Sequence, residues 1–361
     1  MNIRIERHPA PPPPPPWDKL VFGKHYSPHM FKMEWRDGAW HDPRIEPFGP
    51  LSLSPAAKVL HYAQEIFEGM KAYRNPQDGS LHMFRPEMNV ARFNRSATRI
   101  SMPNVDPDLF MRALEMLVAL DGDWVPPKPG SLYIRPTMIG DEPSLGVATS
   151  ATYTFFIITG PVGSYFKGGA KPLYLKAETD YVRSAPGGTG YAKTGGNYAA
   201  ALLPILRAQQ EGFDQIIWLD ALTRSTVEEM GAMNICFVYA DRVITAPVQP
   251  VSDTILPGVT RDSVGVLVRD FGLRWVETPP VLADLLRDAE SGELKEAFSC
   301  GTAAIVTSIG RVHHLGRDVT IADGKEGPVT RRLRETLCAI HVGEGEWHPE
   351  WRHRVPVLRP V

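Results

Sequence analysis

A two-domain protein of mixed α and β layers is the fold class that the sequence predicts, and three observations predict it. The chain has 361 residues, more than one hydrophobic core usually organises. Beyond Trp17, strand-like and helix-like stretches alternate, without an internal repeat or a low-complexity run. A glycine-rich stretch, Gly163-Ser164-Tyr165-Phe166-Lys167-Gly168-Gly169, divides them near the middle, and its glycines permit the backbone turns that a linker needs. The expected organisation is a proline-rich arm over residues 1–16, a smaller α/β domain over 17–162, a linker over 163–171 and a larger domain over 172–361.

The elements follow in order. Proline cannot continue a helix or donate to a sheet, so the tract Pro11 to Pro16 is expected to extend as polyproline ahead of the folded part. It reads as a stiff arm rather than as a ligand for an SH3-type partner, because nothing basic flanks it in a recognition pattern. Ser131 to Ile139 and Thr152 to Val162 are β-branched and aromatic runs, expected as adjacent strands that close the first domain. A strand over Pro172 to Leu175 opens the second. A helix over Tyr198 to Glu211, a strand over Ile216 to Leu219 and a hairpin around Ile235 to Ile244 come next. Helices from Thr260 to Asp270 and near Thr330 to Ile340 complete the chain.

Composition excludes several function classes. The chain carries 39 basic and 41 acidic residues, a formal net charge of −2, which is not the footprint of a nucleic-acid or anionic-membrane binder. No apolar run is long enough to span a bilayer, and the N-terminus lacks the pattern of a signal peptide. Cys236, Cys300 and Cys338 stand far apart and read as reduced thiols of a cytoplasmic protein. His25 and His29 have the spacing of one helix face, but no third ligand accompanies them and no metal is expected. His313 and His314 would point to opposite sides of a strand, which suits a surface hairpin better than a site.

The segment Ala185 to Tyr198 places Lys193 among five glycines: Gly187, Gly188, Gly190, Gly195 and Gly196. Two chemistries suit that pattern. Gly187 through Thr194 differs from a nucleotide phosphate loop only by Ala192 in the second glycine position. Against that reading, a phosphate loop must pass directly into a helix, and Gly195 and Gly196 are poor helix formers. The other chemistry is an amine nucleophile that forms a Schiff base with a carbonyl, which requires a lysine partly withdrawn from water. An exposed and inert lysine is the plain structural alternative.

Two further segments have the character of an anion site. In Leu256-Pro257-Gly258-Val259-Thr260-Arg261, proline and glycine turn the chain and Thr260 begins a helix, whose free N–H groups attract a phosphate. Arg92, in Asn89-Val90-Ala91-Arg92-Phe93, is placed to add a bidentate counter-charge. A solvated helix face for Arg92 and an ordinary cap at Thr260 are the alternatives. Glu228-Glu229 precedes an apolar run; a buried glutamate beside a pyridine nitrogen would keep it protonated and the ring electron-poor. Tyr198 is placed to hydrogen-bond the ring hydroxyl.

Over nearly its whole length the chain resembles the branched-chain amino acid aminotransferases of fold type IV. Five blocks carry the resemblance in order and spacing: Phe67-Glu68-Gly69-Met70-Lys71-Ala72, Tyr133-Ile134-Arg135-Pro136, Gly140 through Val147, Lys193-Thr194-Gly195-Gly196-Asn197-Tyr198, and Leu256-Pro257-Gly258-Val259-Thr260-Arg261. It implies a small N-terminal α/β domain and a large C-terminal pseudo-barrel domain, with pyridoxal 5′-phosphate as cofactor and a homodimer as the assembly. It also implies that Lys193 forms the Schiff base, Tyr198 contacts the ring hydroxyl and Glu229 pairs with the ring nitrogen, leaving Glu228 spare. The phosphate is then expected on Arg92, Arg183 and the N–H groups of Val259 and Thr260.

Phe22, Tyr62, Phe67, Tyr133 and Val147 match positions that line an apolar substrate cavity, and branched methyl groups gain by leaving water there. Arg135 resembles the group that meets the distal carboxylate of glutamate. Thr302 and Ala303 match a turn that offers N–H groups to the α-carboxylate, and Tyr165 matches a mobile residue that closes over the site. The implied reaction moves the amino group of leucine, isoleucine or valine to 2-oxoglutarate, with Lys193 as general base and then acid. Two positions depart from the pattern. Ala304 and Thr307 replace the cysteines of a redox Cys-x-x-Cys found in animal members, so that thiol switch is not expected. Ala232 stands where some members have threonine, which removes a hydroxyl.

Overall fold

The computed structural model describes residues 1–163 and 171–357; Tyr165 and most of the expected linker lie outside the described residues. The chain forms two compact units, Met1–Ser164 with Ala192–Gly195 and Ala339–Val361, and Tyr165–Tyr191 with Gly196–Cys338. Neither is continuous in sequence, because the short stretch holding Lys193 belongs with the first.

The first unit contains strands β1 (Arg4–Ile5), β2 (His29–Arg36), β3 (Ala39–Pro47), β4 (Glu65–Phe67), β5 (Met70–Arg74), β6 (Leu81–Phe84), β7 (Ser131–Gly140) and β8 (Tyr153–Val162). With the C-terminal strand Arg352–Arg354 they order as β1-β3-β2-β8-β7-β5-β6 and that last strand, while β4 pairs with β7. The two long strands expected at 131–139 and 152–162 are present and pair antiparallel from Ser131↔Val162 to Gly140↔Tyr153. Helices α1 (Lys58–Tyr62), α2 (Pro86–Arg99) and α3 (Pro107–Leu120) accompany the sheet. Proline opens both α2 and α3, where its missing N–H is harmless. The Asp106 side chain caps α3 by accepting from the Leu109 N–H at 2.8 Å.

Four aromatic rings anchor this core. Phe93 of α2, Phe110 of α3 and Phe155 of β8 meet edge to face at centroid distances of 4.9–5.3 Å, and Phe31 of β2 adds its ring against Phe155. All four are fully buried, and truncating one to alanine removes about 3–5 kcal/mol of stability.

Two expectations about the N-terminal region need correction. The arm does not simply precede the fold, because Arg4 and Ile5 pair in parallel with Arg44 and Ile45. The His8 N–H donates to His29 Nε2 at 2.8 Å, so the arm is tied down before the proline tract begins. His25 and His29 do not share a helix either: His29 opens β2, and its Nδ1 lies 2.6 Å from Asp121 Oδ1. Among the described residues no group of three or more His, Cys, Asp or Glu side chains is placed to hold a metal.

His341 lies near the end of the helix Pro328–Val342, in the part of the chain that belongs to the first unit. Its ring stacks on Tyr73 at 4.6 Å and meets Phe84 edge-on at 4.4 Å. Burial, and secondarily the charge of Lys71, pushes the imidazole down to about 3. The unfolded chain takes up this proton near pH 6.5 while the folded chain does not. Stability is therefore expected to fall by about 1.4 kcal/mol per pH unit below about pH 6.5 on account of this group. Urea unfolding midpoints measured from pH 7 down to 4 should show a shallower acid slope in His341→Phe; an unchanged slope would show that His341 does not govern it.

The second unit contains β9 (Leu173–Glu178), β10 (Gln215–Leu219), β11 (Val227–Met230), β12 (Met233–Val238), β13 (Arg242–Thr245), β14 (Arg274–Glu277), β15 (Glu296–Gly301), β16 (Ile305–His314) and β17 (Arg317–Thr320). Its strand order is β11-β10-β9-β16-β15-β12-β13-β14, with β17 beside β16. An additional pairing of β11 with β12 closes six of these strands into a ring, the pseudo-barrel. Leu175, Ile217, Leu219, Val227, Ile235 and Phe237 pack into one buried cluster from its strands. Helices α4 (Gly195–Ala199), α5 (Leu202–Gln210), α6 (Val259–Asp270), α7 (Leu282–Ser291) and α8 (Pro328–Val342) complete the set.

The expected strands at 172–175 and 216–219, the hairpin near 235–244 and the helices at 260–270 and 330–340 all appear, with ends shifted by up to about three residues. The helix expected over 198–211 differs: it is divided into α4 and α5, and the first piece starts earlier, at Gly195. Asn197 explains the early start, because its amide exchanges hydrogen bonds with the Thr189 hydroxyl and carbonyl at 2.7 and 2.8 Å. That tertiary tie overrides the weak helix propensity of two glycines. His313 and His314 end β16, which forms an antiparallel hairpin with β17 as expected.

Candidate active site

The first unit holds Lys193 by its main chain. The Lys193 N–H donates to Ser96 Oγ of α2 at 2.9 Å, and the Lys193 carbonyl accepts from the Phe67 N–H at 3.0 Å. The Thr194 hydroxyl donates to the Glu65 carbonyl at 2.7 Å. The side chain of Lys193 is half-buried, and its Nζ lies 4.7 Å from the centroid of the Phe67 ring. Arg135 Cζ lies 4.6 Å from the same centroid, so two cations meet one aromatic ring.

Glu68 of the Phe-Glu-Gly motif had no role assigned from the sequence, yet it is wholly buried. Arg92 grips it with Nε to Oε1 at 2.7 Å and an Nη to Oε2 at 2.8 Å, while Asn89 donates to Oε2 at 2.8 Å. Burial alone would push this carboxyl toward protonation. The charges of Arg92 and Lys193 and the Asn89 amide outweigh burial and hold it below the ordinary carboxylate range. Arg92 is thus first a partner of Glu68, and any phosphate contact it makes is in addition to that.

Tyr133 and Arg135 alternate along β7 and face the same way. An Arg135 Nη donates to Tyr133 Oη at 2.8 Å, and the Phe22 ring meets Tyr133 edge-on at 5.0 Å. These three line a recess with His25, Tyr26 and Ile158; the sequence reading assigns Tyr26 no role and weighs His25 only as a metal ligand. A Cβ on Gly69 would overlap Tyr133 Oη, so a larger residue there would have to displace the tip of the Tyr133 ring. Tyr62 and Val147 do not line this recess. Tyr62 donates its hydroxyl to the Leu145 carbonyl, and Val147 is 87% exposed on this chain.

The second unit, taken by itself, holds a buried carboxylate and a helix end. Glu229 is buried; its Oε1 accepts from the Leu256 N–H at 2.9 Å and from the Asn234 amide at 3.3 Å. Arg183 Nε stands 2.9 Å from Glu229 Oε2, within ion-pair distance although its N–H is not aimed at that oxygen. Arg183 also donates to the carbonyls of Gly190 and Thr254, so a phosphate would share this arginine with Glu229. Glu228, the spare acid, accepts from the Thr254 hydroxyl at 2.5 Å. Burial raises its pKa, and the Thr254 hydrogen bond and the Arg183 charge offset this only in part.

Helix α6 begins at Val259, with Gly258 as its cap and no side-chain cap bond. The helix expected from Thr260 thus begins one residue earlier, and the alternative of an ordinary cap at Thr260 falls, because Gly258 holds the cap position and has no side chain to accept from the first N–H groups. A Cβ on Gly258 would overlap Asn234 Oδ1, so the turn into α6 lies directly against the residue that braces Glu229. Tyr198 lies half-buried in α4. Thr302 and Ala303 lie in the turn between β15 and β16. Cys236 and Cys300 are buried on neighbouring strands and form no disulfide. The Cys236 contact and burial together raise the Cys300 thiol, which keeps it protonated and unreactive.

The amino-transferase class IV family model matches residues 65–312, a span that begins at Glu65 and includes Lys193, Glu229 and the start of α6. The chain belongs to the class IV amino-transferases. Its fold is accordingly two-domain fold type IV. This class IV chain is 47% identical over 335 residues to the probable branched-chain-amino-acid aminotransferase of Streptomyces coelicolor, covering 92% of this chain and 91% of the relative. It is 44% identical to branched-chain-amino-acid transaminase 1 of Bacillus subtilis, covering 92% and 93% respectively. The branched-chain aminotransferase of the thermophilic archaeon Thermoproteus uzoniensis, solved with norvaline, matches with a TM-score of 0.73 and 25% identity, covering 90% of this chain and 100% of that one.

Class IV membership removes the nucleotide-loop reading of Gly187 to Thr194. Contrary to expectation, the two glycines do not prevent a helix there, since α4 begins at Gly195. What the segment lacks is the strand on its N-terminal side: β9 ends at Glu178, well before Gly187.

Proposed function

We propose that this class IV amino-transferase is a pyridoxal-phosphate-dependent branched-chain-amino-acid transaminase that moves the amino group of leucine, isoleucine or valine to 2-oxoglutarate. The observation that carries the reading is Lys193. It is a half-buried amine beside Phe67 and within the field of a buried carboxylate, Glu68, in a chain closely similar to proteins named for that activity.

The residues suit the cofactor chemically. Lys193 supplies the amine that holds its aldehyde carbon. Glu229, braced by Asn234 and charge-paired with Arg183, is suited to a protonated pyridine nitrogen, and Tyr198 to the ring hydroxyl. The uncapped start of α6 at Val259 and Thr260, with Arg92 and a share of Arg183, suits a phosphate. The turn of Thr302 and Ala303 is assigned, on the resemblance, to the substrate α-carboxylate and to the cofactor. When bound, pyridoxal phosphate supplies an electron sink that acidifies the α-hydrogen of the amino acid.

The chain's own residues then divide the work. Lys193 Nζ takes the α-proton and returns it, as base and then acid. Phe22, Phe67 and Tyr133 shelter a branched side chain from water, while Arg135 receives the distal carboxylate of glutamate. The resemblance extends the proposed substrate set to Tyr62 and Val147, which do not line the recess on this chain, and to Tyr165, which lies outside the described residues. We propose residues 172–361 as the cofactor-binding stretch of the sequence, with the 192–195 segment that carries Lys193 packed into the first unit. We also assign the protein to the cytoplasm as a homodimer with small-molecule substrates; no helix among the described residues is long and apolar enough to cross a membrane.

Borohydride reduction of the purified protein followed by peptide mapping is expected to place the cofactor on Lys193. An amine-donor screen with 2-oxoglutarate should favour leucine, isoleucine and valine. A label on another lysine, or a screen that favours D-amino acids, would replace this reading.

A further inference from the structure

Glu65 is a carboxyl in the first unit that the proposed reaction does not use. It precedes Phe67 by two on β4 and so faces the same way. Register places Glu65 opposite Ile139 and Phe67 opposite Thr137 of β7, on the face that also carries Arg135. The carboxyl is pressed against the backbone just beyond Lys193, since a Cβ built on Gly195 would overlap Glu65 Oε1. Among the described residues the Glu65 carboxyl makes no ion pair and no side-chain hydrogen bond.

The charged groups around Glu65 are few. Arg135 comes from β7 and Lys193 from the 192–195 segment. From α2, Arg92 is engaged by Glu68, Arg95 is exposed and Arg99 is half-buried. Burial raises the pKa of Glu65, and Arg135 is the one charge that lowers it.

We propose that Glu65 sets the balance between the two substrate classes of this site, weakening the hold of Arg135 on a distal carboxylate while leaving branched aliphatic side chains unaffected. The inference rests on the reading of Arg135 as the distal-carboxylate group. An ionised Glu65 repels a second carboxylate and draws on the same positive field that would bind it. A leucine side chain carries no charge and does not sense either effect. The site is thereby kept from filling with dicarboxylates at the expense of apolar substrates, a form of discrimination by repulsion.

The test uses the cofactor-loaded protein and two unreactive acids, glutarate and 4-methylpentanoate, titrated by calorimetry at about pH 9, where a carboxyl of this kind is ionised. Glu65→Gln keeps the shape and removes the charge. It is expected to tighten glutarate about tenfold relative to 4-methylpentanoate, with Glu65→Asp close to the parent. A ratio of dissociation constants that Glu65→Gln does not move would overturn the proposal. Arg135→Leu separates the two readings: it should weaken glutarate more than 4-methylpentanoate. If it does so while Glu65→Gln leaves the ratio in place, the Glu65 proposal alone fails. If Arg135→Leu leaves the ratio in place, the Arg135 reading fails and the proposal with it. Unfolding midpoints of all variants show whether each is folded at the titration temperature.

Discussion

Lys193→Ala is expected to lower the rate of transamination by about 10³-fold or more, because one substitution removes both the amine that holds the cofactor and the proton carrier at the α-carbon. The visible absorbance of lysine-bound pyridoxal phosphate should vanish with it. The fold should persist, since the 192–195 segment is tied through the Lys193 N–H and carbonyl and through the Thr194 hydroxyl, none of which the substitution touches. Single-turnover absorbance changes with leucine, read beside the far-ultraviolet circular dichroism, check both statements. A variant that processes leucine at close to the parent rate would remove Lys193 from the chemistry.

Arg92→Ala has the second-largest expected effect, and it falls on stability as well as on cofactor retention. The substitution strands the Glu68 carboxylate in a fully buried position, which destabilises by roughly 3–5 kcal/mol. It also removes a cation proposed for the phosphate, so pyridoxal phosphate should dissociate more readily while the chemical step slows less. Pairing Arg92→Ala with Glu68→Gln separates the two effects. The second change removes the stranded charge and should restore much of the lost stability without restoring cofactor retention. Chemical denaturation and equilibrium dialysis read them independently. An Arg92→Ala variant as stable as the parent would show that Glu68 is neutral in the fold.

Much of the scaffold is legible along the chain because its signals are local. β7 and β8 are long runs of β-branched and aromatic residues, and α6 follows a proline-glycine turn, so short-range patterns suffice to find them. The pieces that escape such reading depend on distant partners. Arg4 and Ile5 become a strand only because Arg44 and Ile45 lie alongside, and Gly195 joins a helix only because Asn197 is tied back to Thr189. The ring of the second unit closes through the pairing of β11 with β12, which no single segment announces.

The site divides in the same way. Lys193 and Glu229 stand out by residue type and motif, but Glu68 and Glu65 look like ordinary strand acids until burial and neighbours are known. Their signal was present in retrospect: acids at 65 and 68 flank Phe67 within a run where buried hydrophobic residues follow at once. An acid in such a place is paired or shifted: Glu68 is paired with Arg92 and held below its ordinary range, and Glu65, without an ion pair among the described residues, is raised.

Because the first sheet takes its last strand from Arg352–Arg354, hydrogen-bonded to β6, a ribosome must pass residue 354 before that half can finish assembling. Splitting the gene at the glycine-rich stretch would leave the N-terminal product lacking both its closing edge and the reactive amine it normally cradles, so such fragments would have to be co-expressed to regain a working centre.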